Sequence, residues 1–320
     1  MSRCVEVGIL PTRSRGGTRE WLGRVADAGI DHVVVGDHVS FRNGSGTDGL
    51  IQAALYSGLH PRLPVHVGVY QLPLRHPMLV ARQVASLSAL APGRLVLGVG
   101  VGGEDRHEAT VCGVDPATRG RRMDESLDLL HRLLAGETVT AHGEFFSLDR
   151  AVIRPAPDPA VPVLIGGRSQ KALSRTAAAG DGWLAVWVSP ERFAAAVKQI
   201  GTEAAQAGRG RVHWRHGLQL WCGIGASDHA ARPRLAAAME RFYGLPFAKF
   251  ARYSPCGTPE DVAAFLRPYI EAGCGHVNLA AVGGDPESEI AGVARIRALL
   301  AGGNRHPEES RPREAHLTHP

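Results

Sequence analysis

Short runs of valine, leucine and isoleucine alternate along this chain with stretches of helical period, and the alternation repeats eight times. The strand candidates are residues 5–10, 32–36, 65–70, 95–100, 161–166, 182–186, 217–224 and 276–282. A strand–helix rhythm of this kind belongs to a parallel sheet with crossover helices, and eight units close as a (β/α)8 TIM barrel. Parallel strands are buried on both faces, so they read as continuous apolar runs, as Val33-Val34-Val35 and Val163-Leu164-Ile165 do. The 320 residues could equally hold two average domains, but single barrels commonly reach this size.

The helices between these runs carry recognisable ends. Thr18 can cap a helix with Trp21, Leu22, Val25 and Ala26 on one face, which Gly29 stops. Pro77 occupies a first helical position, and Pro92-Gly93 closes the run that follows. In Thr258-Pro259-Glu260-Asp261 a cap, an N1 proline and two acids stand together. Two segments break the rhythm and read as insertions at the barrel mouth. Within residues 136–162, Thr138-Val139-Thr140 and Phe145 to Leu148 flank His142-Gly143 as a small hairpin. Residues 243–256, rich in Phe, Tyr, Pro and Gly, read as a mobile loop over the mouth. One barrel domain is expected over residues 1–302, with a disordered tail over 303–320 whose His306, His316 and His319 are solvated rather than metal-binding.

Composition narrows the function classes. No apolar run reaches membrane-helix length and the first residues do not resemble a signal peptide, so a cytoplasmic protein is expected. The five cysteines are widely spaced without a C-x-x-C pair, which indicates neither a disulfide framework nor a zinc site, and no metal is expected. The formal charge of +5 suits an acidic small-molecule ligand, while no basic run points to nucleic acid.

Active sites of parallel barrels lie at the C-terminal ends of the strands, and the unusual residues gather there. Strand two ends Gly36-Asp37-His38, a carboxylate beside an imidazole. It is either a functional pair or a tether for the following loop. Strand five ends Gly166-Gly167-Arg168-Ser169 before a helix. That is a phosphate cradle or only a structural turn, since Gly-Gly before a helix serves both. Gly98 to Gly103 satisfies G-x-G-x-x-G with Asp124 some way on, but it follows the fourth strand and Asp124 falls inside an amphipathic helix. A glycine-lined surface for a flat ring is the better reading than a nicotinamide site. Trp183 and Trp187 read as packing residues.

Several segments in order resemble the luciferase-like family, which includes bacterial luciferase, flavin-dependent monooxygenases and coenzyme F420 oxidoreductases. They are residues 28–38, Leu72-Pro73-Leu74-Arg75-His76-Pro77, residues 93–102, Arg119 to Glu125, Gly180-Asp181-Gly182-Trp183 and Gly257 to Val262, a likeness spanning residues 3–301. The resemblance implies an F420-dependent oxidoreductase, with flavin mononucleotide (FMN) monooxygenation as the alternative. It implies that Asp37 faces the cofactor and that His38 is the acid or base. It further implies a non-proline cis peptide near Val67-Gly68 behind the ring. Gly100, Val101, Gly102 and Gly103 would flank the ring, and Gly166, Gly167, Arg168 and Ser169 would hold the phosphate. The sugar-phosphate dehydrogenases of the family carry a catalytic glutamate after strand four, where this chain has Gly103 with Glu104 next. That departure points to another substrate and to the reductase direction. A homodimer is the family's common assembly.

Overall fold

The computed structural model describes residues 5–12, 18–42, 44–103 and 105–302. Its strands are β1 (Glu6–Ile9), β2 (His32–Val35), β3 (Val65–Gln71), β4 (Leu95–Gly100), β5 (Val139–His142), β6 (Ser147–Ala151), β7 (Val163–Gly166), β8 (Gly182–Val186), β9 (Gly217–Ile224), β10 (Cys256–Gly257) and β11 (His276–Val282). The α-helices among the described residues are α1 (Thr18–Asp27), α2 (Gly49–Leu59), α3 (Pro77–Leu90), α4 (Arg106–Val111), α5 (Arg119–Leu134), α6 (Gln170–Ala179), α7 (Pro190–Gln206), α8 (Asp228–Tyr243), α9 (Pro259–Glu271) and α10 (Pro286–Gly302).

Parallel pairing runs β11-β1-β2-β3-β4-β7-β8, and β9 joins both β8 and β11, so eight strands close on themselves. The two-residue β10 merely extends the edge of β9. Closure removes every free edge of the ring, so each strand has hydrogen-bonded neighbours on both sides.

Alternation along each strand divides its side chains between two cores. Val33, Val35, Val65, Leu95, Leu97, Val163 and Ile165 point outward and pack with the helices in the main cluster. Residues of the opposite parity fill the interior, where Val96, Leu164 and Leu184 meet Val69. The helix ends follow the residues that mark them. Pro77 starts α3 with His76 as its cap, and Thr258 and Asp261 form a reciprocal capping box on α9. Gly29, at φ +74, supplies the left-handed turn after α1.

The predicted hairpin is present as the antiparallel pair β5–β6. The segment read as a mobile loop takes a different form. Residues 247–249 and 251–253 make two 3-10 turns, and Phe247 and Phe250 are buried with Leu235, Met239 and Val282. Its aromatic residues are there to pack, which period and composition could not distinguish from a lid. Among the described residues no helix is long and apolar enough to cross a membrane. The tail over 303–320, together with Glu104, lies outside the described residues.

Candidate functional site

Gly36-Asp37-His38 leaves the end of β2, and the two polar side chains part company. The Asp37 carboxylate is wholly buried. Its Oδ1 accepts from Gly49 N at 3.0 Å and from Arg75 Nη2 at 2.8 Å, and its Oδ2 accepts from Gln71 N at 2.8 Å and Arg75 Nη1 at 2.6 Å. Those bonds tie the end of β2 to the start of α2, the end of β3 and the turn after it. Arg75 also reaches Asp48, the cap of α2, and lies over the Tyr70 ring at 4.3 Å. Asp37, expected from the resemblance to face a cofactor, thus spends its carboxylate on the protein itself. A carboxylate with both oxygens committed to four protein donors offers none to a ligand.

His38 turns the other way. Its Nδ1 lies 3.0 Å from Oε2 of Glu108, and its side chain keeps 27% of its surface exposed. Glu108, from α4, is buried and also accepts from Val39 N at 2.8 Å, Ser40 N at 3.1 Å and Gln71 Nε2 at 3.2 Å. Burial alone would raise its carboxyl, but the bonds from His38, Ser40 and Val39 outweigh that and hold it below the usual glutamate range. An ionised carboxylate only accepts, so Nδ1 of His38 carries the proton. The other ring nitrogen, Nε2, has no partner among the described residues and is left as the exchangeable one.

The wall beside His38 is aromatic. The Phe41 ring centre lies 4.3 Å and the Phe242 ring centre 5.9 Å from the imidazole, and Trp221 continues the row 5.7 Å beyond Phe242. Phe242 and Val39 are among the exposed large apolar residues.

The glycines of β3, β4 and β7 serve a purpose the sequence did not disclose. A Cβ on Gly166 would stand 2.6 Å from Val69, and one on Gly100 2.8 Å from it. Val69 thus fills a notch cut by these two glycines, with Gly98 close behind. Val69 covers Gly100, which the resemblance had placed beside the ring. The Gly68–Val69 peptide is cis, one residue beyond the place the resemblance suggested, and the register between β3 and β4 shifts there. Val67 points outward into the main core, so its side chain is not at the mouth. The Gly68 carbonyl accepts from Gln219 Nε2 at 2.9 Å. Val101 is half-buried against the main core. Gly102, at φ +87, passes close to Gln71, and the Gly103 carbonyl accepts from Arg119.

Gly166 ends β7, Gly167 turns at φ +122, and Ser169 caps α6 by accepting from Ala172 N. Trp183 Nε1 donates to the Gly167 carbonyl. Arg168 is exposed, its guanidinium 5.6 Å from the Trp187 ring centre, and the buried Trp187 Nε1 has no hydrogen-bond partner. The exposed Arg168 and the first turn of α6 stand together here, a pair that suits an anion. Asp124, the acid of the nicotinamide alternative, instead pairs with Arg175 on the wall of a cleft of about 490 Å3 between α5 and α6.

Three of the residues that build this site had no predicted role: Glu108, Arg75 and Gln71. Arg75 stands in one of the segments that carry the resemblance. Glu108 follows Glu104 by four residues in the sequence, and only the placement of α4 brings Glu108 to His38.

With this geometry in place, the sequence profile of luciferase-like monooxygenases matches residues 8–264. The chain belongs to the luciferase-like monooxygenase family. A Mycobacterium tuberculosis relative is 35% identical over 166 residues, which is 51% of this chain and 57% of that protein, so the match spans little more than half of the relative. An F420-dependent glucose-6-phosphate dehydrogenase of Amycolatopsis mediterranei is 26% identical over 316 residues, 88% of this chain and 94% of its own length. Among solved structures, an F420-dependent secondary alcohol dehydrogenase superposes with a TM-score of 0.81 at 20% identity, over 92% of this chain and 99% of that one. A monooxygenase from Streptomyces bottropensis gives 0.76 at 21%, over 92% and 97%. At such identities the superpositions establish the luciferase-like barrel alone.

Proposed function

We propose that this luciferase-like protein is an oxidoreductase that transfers a hydride between coenzyme F420 and an organic substrate, working as an F420H2-dependent reductase. The observation that carries the reading is the His38–Glu108 pair at the strand ends, with one imidazole nitrogen held and the other open. Hydride transfer to a carbonyl must be matched by a proton, and a fixed imidazole beside the reacting carbon supplies it. When bound, the deazaflavin accepts or releases the hydride.

The protein's own residues do the rest. His38 Nε2 gives a proton to the nascent alkoxide in reduction, or takes one from the hydroxyl in oxidation. Glu108 fixes the tautomer and stabilises the imidazolium through Nδ1. Val69 fills the glycine notch and gives a ring an apolar backing, while Gly166, Gly167, Arg168 and Ser169 hold the coenzyme's phosphate. Asp37 and Arg75 keep the loop of His38 in place. Phe41, Phe242 and Trp221 favour an apolar or aromatic group next to the reacting carbon rather than a phosphate. Glu108 is buried behind His38 with both oxygens engaged, so it does not replace the carboxylate missing at Gly103, and that departure supports a substrate other than a sugar phosphate and the reductase direction.

The F420-dependent relatives that align over most of this chain support the deazaflavin over FMN. The second reading, an FMN-dependent monooxygenase, draws on a limonene 1,2-monooxygenase of Rhodococcus erythropolis, 41% identical over 96 residues, 30% of this chain and 24% of that one. Anaerobic mixing with reduced coenzyme F420 and a panel of apolar ketones and aldehydes tests the proposal. Substrate-dependent appearance of oxidised coenzyme is expected. Turnover only with reduced FMN and oxygen would refute it.

A further inference from the structure

The opposite pole of the barrel carries a second polar cluster that hydride transfer does not use. His32, His66 and His276 enter the interior at the starts of β2, β3 and β11, and all are buried. The His32 and His66 rings stack with centroids 3.7 Å apart, and His276 stands edge-on 5.4 Å from His66. The backbone is shaped around them. A Cβ on Gly8 would fall within the His32 ring and one on Gly217 within the His276 ring.

A chain of amides fixes which nitrogen of His32 carries hydrogen. The Gly68 carbonyl can only accept, so the Gln219 nitrogen faces it at 2.9 Å. Gln219 Oε1 then accepts from Asn278 Nδ2 at 3.3 Å, which turns Asn278 Oδ1 toward His32 Nε2 at 2.8 Å. Nε2 of His32 is therefore protonated, and its Nδ1 holds a buried lone pair with no donor. Nδ1 of His66 is likewise buried without a partner. Buried polar nitrogens left unpaired are rare in folded proteins.

We infer that Glu6, His32 and His66 form a binding site for a divalent transition metal at the N-terminal floor of the barrel. One donor atom from each lies within 4.8 Å of the other two. Donors in a tetrahedral zinc site are about 3.4 Å apart, so closure needs the stacked His32 and His66 rings to splay until their lone pairs converge, and a swing of the exposed Glu6 side chain. Two neutral imidazoles and a carboxylate suit Zn2+, Co2+ or Ni2+ rather than Ca2+ or Mg2+. Asn278 holds the far nitrogen of His32 as the outer partner of a metal-bound histidine does. Water completes the fourth position. Arg215, 3.6 Å from Glu6, opposes the cation and moves aside when Glu6 binds it. No local motif marks this site, because its ligands come from three strands and no two are close in the chain.

The test uses untagged full-length protein, stripped with chelator and titrated with Zn2+, with bound metal counted and the melting temperature recorded. One equivalent of tightly held zinc and a raised melting temperature are expected. Glu6→Gln, on an exposed side chain that folding does not need, is expected to weaken zinc binding at least about tenfold. His66→Asn is expected to abolish it, and Arg215→Gln to tighten it. Zinc that fails to bind the parent, or binds Glu6→Gln and the parent equally, overturns the assignment. Equal binding by both would place the metal on histidines elsewhere in the chain.

Discussion

Nδ1 of His38 sits 3.0 Å from Oε2 of Glu108, an imidazole at the barrel mouth anchored to a carboxylate with only 2% of its side chain exposed. The two residues are 70 apart in sequence and meet because α4 folds back over the loop that follows β2. The partnership assigns roles that kinetics can separate. His38→Ala should slow single-turnover hydride transfer by about 10²–10⁴-fold at saturating cofactor, with little change in cofactor affinity. Glu108→Gln keeps the bulk but can donate to Nδ1 and favour the opposite tautomer. A slower rate with an altered pH profile is expected, again with cofactor affinity kept. Parental rates in both variants would return His38 to a loop tether.

Asp37 should behave as a structural residue. Its bidentate contact with Arg75 is buried, and two backbone N–H groups depend on the same carboxylate. Asp37→Ala takes from Arg75 its buried partner, leaving it Asp48 alone among carboxylates, and leaves those two donors unpaired, a loss of about 3–5 kcal/mol for a broken buried pair. Urea unfolding measures it. A variant as stable as the parent that has lost only cofactor affinity would restore the cofactor-facing reading.

The barrel was legible because it is written in local signals: apolar runs for doubly buried strands, and prolines, glycines and caps at the helix ends. His38 and the turn at Gly166 to Ser169 were also legible, since a barrel has one functional end and these residues sit on it. Side-chain direction was not legible. Asp37 and His38 are adjacent, and only the positions of Arg75 and Glu108 decide that one points inward and the other toward the mouth. Gly100 and Gly166 were readable as small, but not as small for Val69, because that contact joins three strands. Residues 243–256 have the composition of a lid and the packing of a core.

The notch around Val69 can be tested by coupling. Gly166→Ala places a methyl 2.6 Å from Val69 Cγ1, closer than packed atoms tolerate. Overpacking of this kind typically costs about 1–3 kcal/mol. Val69→Ala should cost stability in the parent but recover much of the loss in the Gly166→Ala background, with a coupling of about 0.5–3 kcal/mol in a double-mutant cycle. Simple additivity would mean that Val69 does not fill the space over Gly166.

His216 makes stability depend on pH. Its ring is buried against Trp214 and its Nδ1 accepts the Trp183 N–H at 3.2 Å; burial pushes its pKa down to about 4. The unfolded chain takes up this proton first, near pH 6.5, so the contribution is intact above that value. It declines as pH falls from about 6.5 toward 4, by on the order of 3 kcal/mol in total. His216→Asn keeps an acceptor for Trp183 without a group that titrates there. Chemical denaturation across this range should show a shallower slope for the variant, and an unchanged slope would contradict the assignment.

Binding of the two rival cofactors tests the central claim most directly. Fluorescence titration of the protein with oxidised coenzyme F420 and, in parallel, with FMN compares them on the same site. The net positive charge favours the coenzyme with the acidic tail. Tighter binding of coenzyme F420 is the result predicted, and equal or tighter binding of FMN would contradict the account.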